Sequence, residues 1–309
     1  MKNWQLKLLA SVCAFTSWGS AQASSPLNWQ VGVNVGQRGW DSPGYLDQKI
    51  NFNVASISVS TGFEKYFASA LYETSLGEKS IELAIDDSKL NGFPTAAFPN
   101  SGAGNAKRNE FSLVGGYNFT ANWSGFVGYV TSEVDISNLS QLTYSNVSNV
   151  SGSGSSNATL IFLNGGVNYS SRGPFVGIGY RFPVQEYGAV SLSAAYAHLT
   201  AEGDVGSNTS YVVQNYDRPN GGGWTLRDNQ TYPRDQFPSK SSSANGFSFG
   251  ASWFGKIASE AEWLKTLRYV VSAKLYKYDY NGAGIVPSQT NTDSRETYTV
   301  LTFGLTKTF

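Results

Sequence analysis

The chain has 309 residues, with 22 Lys+Arg against 22 Asp+Glu and a formal net charge of zero at neutral pH. Only 14% of residues are charged, while there are 33 Gly, 18 Tyr, 18 Phe and 8 Trp. This balance argues against nucleic acid as a partner, and one His and one Cys leave little material for metal or thiol chemistry.

The chain opens on the basic stretch Met1-Lys2-Asn3-Trp4-Gln5-Leu6-Lys7, continues as an apolar run over 8–18 and reaches Ala21-Gln22-Ala23. That order is the secretory signal pattern, so residues 1–23 are expected to be a signal peptide and 24–309 a single domain. A lipoprotein reading of Cys13 fails on Val12, where a lipobox needs a small residue. Cleavage removes the sole Cys together with Lys2 and Lys7, leaving acidic residues two in excess. No later stretch approaches the ~20 apolar residues of a membrane helix. Charge-poor, aromatic-rich and Gly-rich, the exported chain fits an all-β, antiparallel transmembrane barrel in a bacterial outer membrane, where apolar residues take every second position.

Ten strands follow from that period of two. Their lipid-facing sets begin with Trp29, Val31, Val33, Val35; Ile57, Val59, Thr61, Phe63; and Tyr66, Ala68, Ala70, Tyr72. Next come Phe111, Leu113, Gly115, Tyr117, Phe119 and, more loosely, Phe126, Gly128, Val130, Ser132, Val134. Val176, Ile178, Tyr180, Phe182 and Val190, Leu192, Ala194, Tyr196 follow. The last three sets are Phe247, Phe249, Ala251, Trp253; Leu267, Tyr269, Val271, Ala273, Leu275; and Leu301, Phe303, Leu305, Lys307, Phe309.

Links alternate in length. Short ones at 64–65, 120–122 and 183–188 are expected to be periplasmic turns, and long ones at 36–48, 77–106, 137–172, 203–245 and 279–294 extracellular loops. The link 255–266 spaces Ile257, Ala261 and Leu264 as a helical turn would. Counting the apolar run 160–169 as another strand gives eleven and an odd barrel, so it is assigned to an extracellular extension or hairpin; twelve strands are the alternative. The Ser/Asn-rich stretch 145–157 belongs to that loop.

Outward aromatics beside the short turns should form an interfacial girdle: Trp29, Phe63, Tyr66, Tyr117, Phe119, Tyr180, Phe182, Trp253, Tyr269 and Phe309. Through Leu301, Phe303, Leu305 and the terminal Phe309, the chain resembles the bacterial outer-membrane β-barrel proteins as a broad class. Lys307 departs from the apolar residue common two places before the end. The resemblance implies recognition of Phe309 by the barrel-assembly machinery, and contact with outer-membrane lipids and lipopolysaccharide.

Candidate chemistry is sparse. His198, Thr200 and Glu202 share the outward parity near the extracellular edge, an arrangement loosely similar to the outward-facing site of outer-membrane lipid A deacylases, which have Ser where this chain has Thr200. Ten strands also resemble the omptin proteases, but Tyr196 stands where those have Asp two residues before the catalytic His, and the adjacent Asp86-Asp87 cannot face one side of a strand. Gly221-Gly222-Gly223 has no following helix to cradle a phosphate. No catalytic residue, metal or cofactor is assigned, and a non-enzymatic barrel is expected.

Inward-facing charges are more informative. Glu73, Glu110 and Glu133, on three consecutive strands, are expected to form an acidic wall roughly 18–25 Å above the periplasmic edge. Arg108 shares the parity of Glu110, Lys274 also faces inward, and Arg181 and Arg268 do so nearer the periplasm. Two functions follow: a narrow small-solute or ion channel with weak cation preference, or a surface-interaction or structural barrel whose loops, above all 211–237, meet an extracellular ligand. A lipid-modifying enzyme stands well behind.

Overall fold

A computed structural model describes residues 28–41, 49–82, 103–149, 154–184, 187–205, 209–233, 240–257, 261, 264, 266–280 and 294–309. The expected signal peptide lies outside them, as does Asp86-Asp87.

The described chain forms thirteen strands: β1 (Asn28–Asp41), β2 (Lys49–Phe63), β3 (Tyr66–Ser75), β4 (Lys79–Glu82), β5 (Ala103–Asn118), β6 (Trp123–Asn149), β7 (Ser156–Val184), β8 (Gly188–Val205), β9 (Ser210–Arg218), β10 (Thr225–Pro233), β11 (Lys240–Lys256), β12 (Leu267–Tyr280) and β13 (Ser294–Thr308). Ten of them close a barrel in the order β1, β2, β3, β5, β6, β7, β8, β11, β12, β13, with β13 pairing back to β1. Every pairing is antiparallel, and closure removes the open edges that no lipid-exposed sheet tolerates.

Alternation along the strands explains the closure. On β2 the outward Phe63, Val59 and Ile57 are exposed while Ser58, Ser56 and Val54 are buried. Outward residues from Phe63 to Ala55 are apolar save Thr61 and turn polar at Asn53 and Asn51, giving a band roughly 20 Å tall at the usual strand tilt. Leu301, Phe303 and Leu305 repeat the pattern on β13.

The short turns are held locally. The Thr120 hydroxyl accepts the Trp123 amide at 2.9 Å, and the Phe119 amide donates to the Trp123 carbonyl at 3.0 Å. Between β7 and β8, Gly188 adopts φ +120°, and a Cβ there would lie 1.8 Å from the Phe254 carbonyl oxygen. Gly188→Ala is therefore expected to destabilise the barrel by about 1–3 kcal/mol, read as an earlier loss of the compact band on heating. In the link 255–266, the Leu264 amide donates to the Ala261 carbonyl at 3.0 Å, a single turn at the expected place.

Three expectations need correction. First, β6 has the opposite parity: Phe126 and Val134 are buried inside, whereas Trp123, Val127 and Tyr129 are exposed outside. Both parities of this strand carry apolar residues, so alternation alone did not separate them; the aromatic at the turn, Trp123, sets the outward face. Second, the strands continue past the apolar band, so 36–41 belongs to β1 rather than to a loop. Third, the expected loops 137–172 and 203–245 are largely sheet. Segment 160–169 is the outer part of one continuous β7, paired with β6 on one side and β9 on the other, and β10 adds to β9. The run Ser170-Ser171-Arg172-Gly173-Pro174 stays extended within that strand.

Candidate functional site: the filled lumen and the projecting sheet

Small polar side chains fill the short-turn half of the lumen. Gln30, Asn34, Ser56, Ser58, Ser252, Ser272, Thr302 and Thr306 are all buried there. Asn34 Nδ2 donates to Ser56 Oγ at 3.2 Å, and the Ser272 and Thr302 hydroxyls lie 2.6 Å apart. Arg181 and Arg268 face inward near this end, close enough to feel each other's charge.

Above them lies an ionic layer. The Arg38 guanidinium reaches Glu73 at 2.6 Å and Glu110 at 2.5 Å, and Arg108 Nη2 reaches Glu110 at 3.0 Å. All four side chains are at most 7% exposed. Aromatic rings complete the layer: Arg38 lies 5.3 Å from the Tyr298 ring centroid and 5.4 Å from that of Tyr276, and Arg108 lies 4.6 Å from Tyr298. The Tyr298 hydroxyl donates to buried Glu296 at 2.6 Å. Such ions tolerate burial only because each has a partner.

The long-loop end is closed by an apolar layer. Trp40 is fully buried, stacked on Tyr298 at 6.5 Å and on Tyr169 at 6.2 Å. Phe52, Ile50, Ile136, Val134, Leu199 and Ala201 converge on the same cluster from around the barrel wall, and Ile161, Tyr211 and Tyr232 join it from the strands beyond. Burial pushes the Tyr211 phenol up to about 12.

The expected acidic wall is thus not an open mouth. Glu73 and Glu110 do face each other across β3 and β5, but both are neutralised by Arg38, which falls in the expected loop 36–48. Glu133 is exposed on the outer face, where its carboxylate accepts from Asn168, a direct consequence of the β6 parity. Lys274 lines a cavity beside the ionic layer. Extending the inward parity of Gln30 and Asn34 by four residues would have located Arg38.

Around the short-turn end, Trp29, Phe63, Tyr66, Phe119, Phe182, Trp253 and Phe309 are exposed on the outer surface, with Tyr117, Tyr180 and Tyr269 half-buried among them. Their rings meet edge-on or tilted: Tyr66 with Tyr117 at 5.1 Å, Tyr180 with Phe182 at 4.4 Å, and Trp253 with Tyr269 at 5.9 Å. Trp123, not among the expected girdle, meets Tyr180 at 4.7 Å.

On the outer face at the other edge of the apolar band, His198 Nδ1 lies 2.7 Å from Asn245 Oδ1, which also accepts the Tyr196 hydroxyl at 2.9 Å. Glu202 pairs with Arg172 at 2.9 Å instead of orienting His198. The hydroxyl, base and carboxylate are therefore on one face but are not assembled as a relay.

Beyond the band, β6, β7, β9 and β10 form a projecting antiparallel sheet. One face carries a polar ladder, in which Thr159 donates to Asn215 at 2.7 Å and Asn215 to Asp228 at 2.7 Å. The other carries buried Ala158, Leu160 and Phe162 with Val212, Tyr216 and Trp224 packed on them. Among the described residues, β10 is one edge of this sheet and the outer part of β6, beyond Ser140, is the other.

The closed ten-strand barrel with its lipid-matched outer band defines the fold of a bacterial outer-membrane β-barrel protein. No protein-family model matches the chain, and no curated protein does. Solved structures share the fold at low identity. The outer membrane protease OmpT of Escherichia coli is 13% identical, covering 94% of this chain and 100% of its own, with a TM-score of 0.48. A Pseudomonas aeruginosa FadL homologue is 9% identical over 92% and 90%, with a TM-score of 0.32. Neisserial surface protein A is 11% identical over 91% and 97%, with a TM-score of 0.29. The likeness is one of fold alone.

Proposed function

We propose that this chain is a closed outer-membrane barrel that works at the cell surface through its projecting sheet. The observation that carries this reading is the blocking of the lumen at two successive levels, by the Arg38–Glu73–Glu110–Arg108 layer and then by the apolar layer around Trp40. Side chains packed to that degree support a lumen that presents a scaffold rather than a path. In this reading the long-loop end faces outward, as in barrels with short periplasmic turns, and the girdle sits at the periplasmic lipid boundary. Phe309 is offered to the barrel-assembly machinery, and outer-leaflet lipopolysaccharide lies against the outer face near His198 and Arg172. From Gly173 outward, β7 contributes about 60 Å of extended chain at ~3.3 Å per residue, enough to lift the polar ladder well clear of the lipid.

The purified protein is expected to give no conductance steps in planar bilayers. Trypsin added to intact cells should cut at Arg218 or Arg227 in the exposed β9–β10 hairpin while the barrel stays intact. Full protection of that hairpin would sink the surface reading. A narrow, weakly cation-preferring channel is the second reading, favoured by the small inward residues Ser112, Ser193 and Ser248 around the lumenal cavity. Steady ohmic steps with a cation-shifted reversal potential would put it first.

A further inference from the structure

One stretch of the outer face is hollowed out. Register places Leu192, Ala251, Ala273 and Leu301 side by side on β8, β11, β12 and β13, so two alanines lie sunk between two leucines. One step further out, Phe249 and Leu275 wall the hollow, and their row continues into Thr299, Gly39 and Asn51. The result is an open groove of about 750 Å³, lined by these residues. That volume falls within the roughly 300–1,000 Å³ of ordinary ligand sites.

The outward end of the groove is polar. Gly39 points outward by parity yet is buried, because a Cβ there would lie 2.7 Å from Thr299 Oγ1, 3.0 Å from Asn51 Oδ1 and 3.1 Å from Lys49 Cε. The Lys49 arm therefore leans over β1 toward the groove, which it lines, and makes no ion pair with its cross-strand neighbour Asp41. Asp41, Thr297 and Lys277 continue that row across β1, β13 and β12, and Lys277 is exposed and likewise unpaired. On this row two ammoniums stand against one carboxylate. Further out, Asp279 and Arg295 neutralise each other at 2.6 Å.

We propose that this groove is a binding site for a phosphorylated, multiply acylated glycolipid of the lipid A type. Its acyl chains lie on Ala251 and Ala273 between the flanking Leu and Phe side chains, and its phosphates meet Lys49 and Lys277. Thr299, Gln37 and Asn51 supply neutral hydrogen-bonding groups for the saccharide between them. Width favours this occupant over a glycerophospholipid, because the hollow spans four strands and the two lysines stand three strand spacings apart, roughly 14 Å in each case. A single phosphate on two chains matches neither span. The assignment rests on the reading that the long-loop end faces outward, where the leaflet carries such a lipid.

Full-length protein melted in detergent with added diphosphoryl lipid A tests the site. A saturable rise of a few degrees is expected for the wild type, and its absence overturns the proposal. Combining Lys49→Gln with Lys277→Gln should raise the half-saturating lipid concentration about tenfold, whereas Arg172→Gln, whose guanidinium is already held by Glu202, should leave it unchanged. Ala273→Phe, which fills the groove from its exposed floor and leaves the lumen untouched, should abolish the rise while the fold persists. An undiminished response in either folded variant overturns the site. An equal rise with phosphatidylglycerol also overturns it, because any anionic lipid would then suffice. These melts do not depend on which end of the barrel faces the medium, which the trypsin cut on intact cells reads separately.

Discussion

Arg38→Met is expected to cost about 3–5 kcal/mol of barrel stability, because it removes the shared partner of two buried carboxylates. Glu73 loses its salt bridge to Arg38, and Glu110 keeps Arg108 at 3.0 Å. At this chain length the thermal transition should fall on the order of ten degrees, measured by heat-modifiable mobility or a detergent melt. Adding Glu73→Gln should recover much of the loss, since Arg108 still neutralises Glu110. Glu133→Gln, by contrast, should stay within about 0.5 kcal/mol, because that carboxylate is exposed on the outer face. If Arg38→Met melts like the wild type, the ionic layer is hydrated and the lumen is open.

Trp40→Ala should be similarly damaging, at about 3–5 kcal/mol, for a different reason. Its indole is fully buried and stacked between Tyr298 and Tyr169, and the surrounding wall is a closed ring of strands that cannot collapse inward. Trp40→Phe should recover part of the loss by keeping a ring in the stack. The two single losses should fail to add in the double variant with Arg38→Met, because both side chains touch Tyr298. Additive melts would separate the ionic and apolar layers energetically.

Outer faces were legible in the sequence because lipid demands apolar residues there and tolerates little else. On nine barrel strands the alternation placed each side chain correctly, as Ile57 against Ser58 and Leu301 against Thr302 illustrate. It failed on β6, whose inner residues Phe126, Val130 and Val134 fill the lumen and are as apolar as its outer ones. Beyond the band the lipid constraint ends, and the polar Thr159, Asn215 and Asp228 form a strand ladder with loop-like composition. Arg38 was hidden for the same reason: on the outward parity Gln37 and Gly39 carry no apolar side chain, which marks the end of the band, not of the strand. Pairing among Arg38, Glu73 and Glu110 depends on register across β1, β2, β3 and β5, which one sequence does not encode locally.

The seam between β1 and β13 has a kinetic side. Most barrel strands meet their neighbour in sequence, so each hairpin can zip as soon as its two arms exist. The seam instead joins Gln30 to Thr308, and the Phe309 amide donates to the Trp29 carbonyl at 2.9 Å. Closing a ring of that size carries about 3 kcal/mol more chain entropy than closing a ten-residue loop. Nothing at the seam repays that until several rungs form together, which places ring closure late and makes the β1–β13 pair the natural gate through which the curved sheet either seals or reopens.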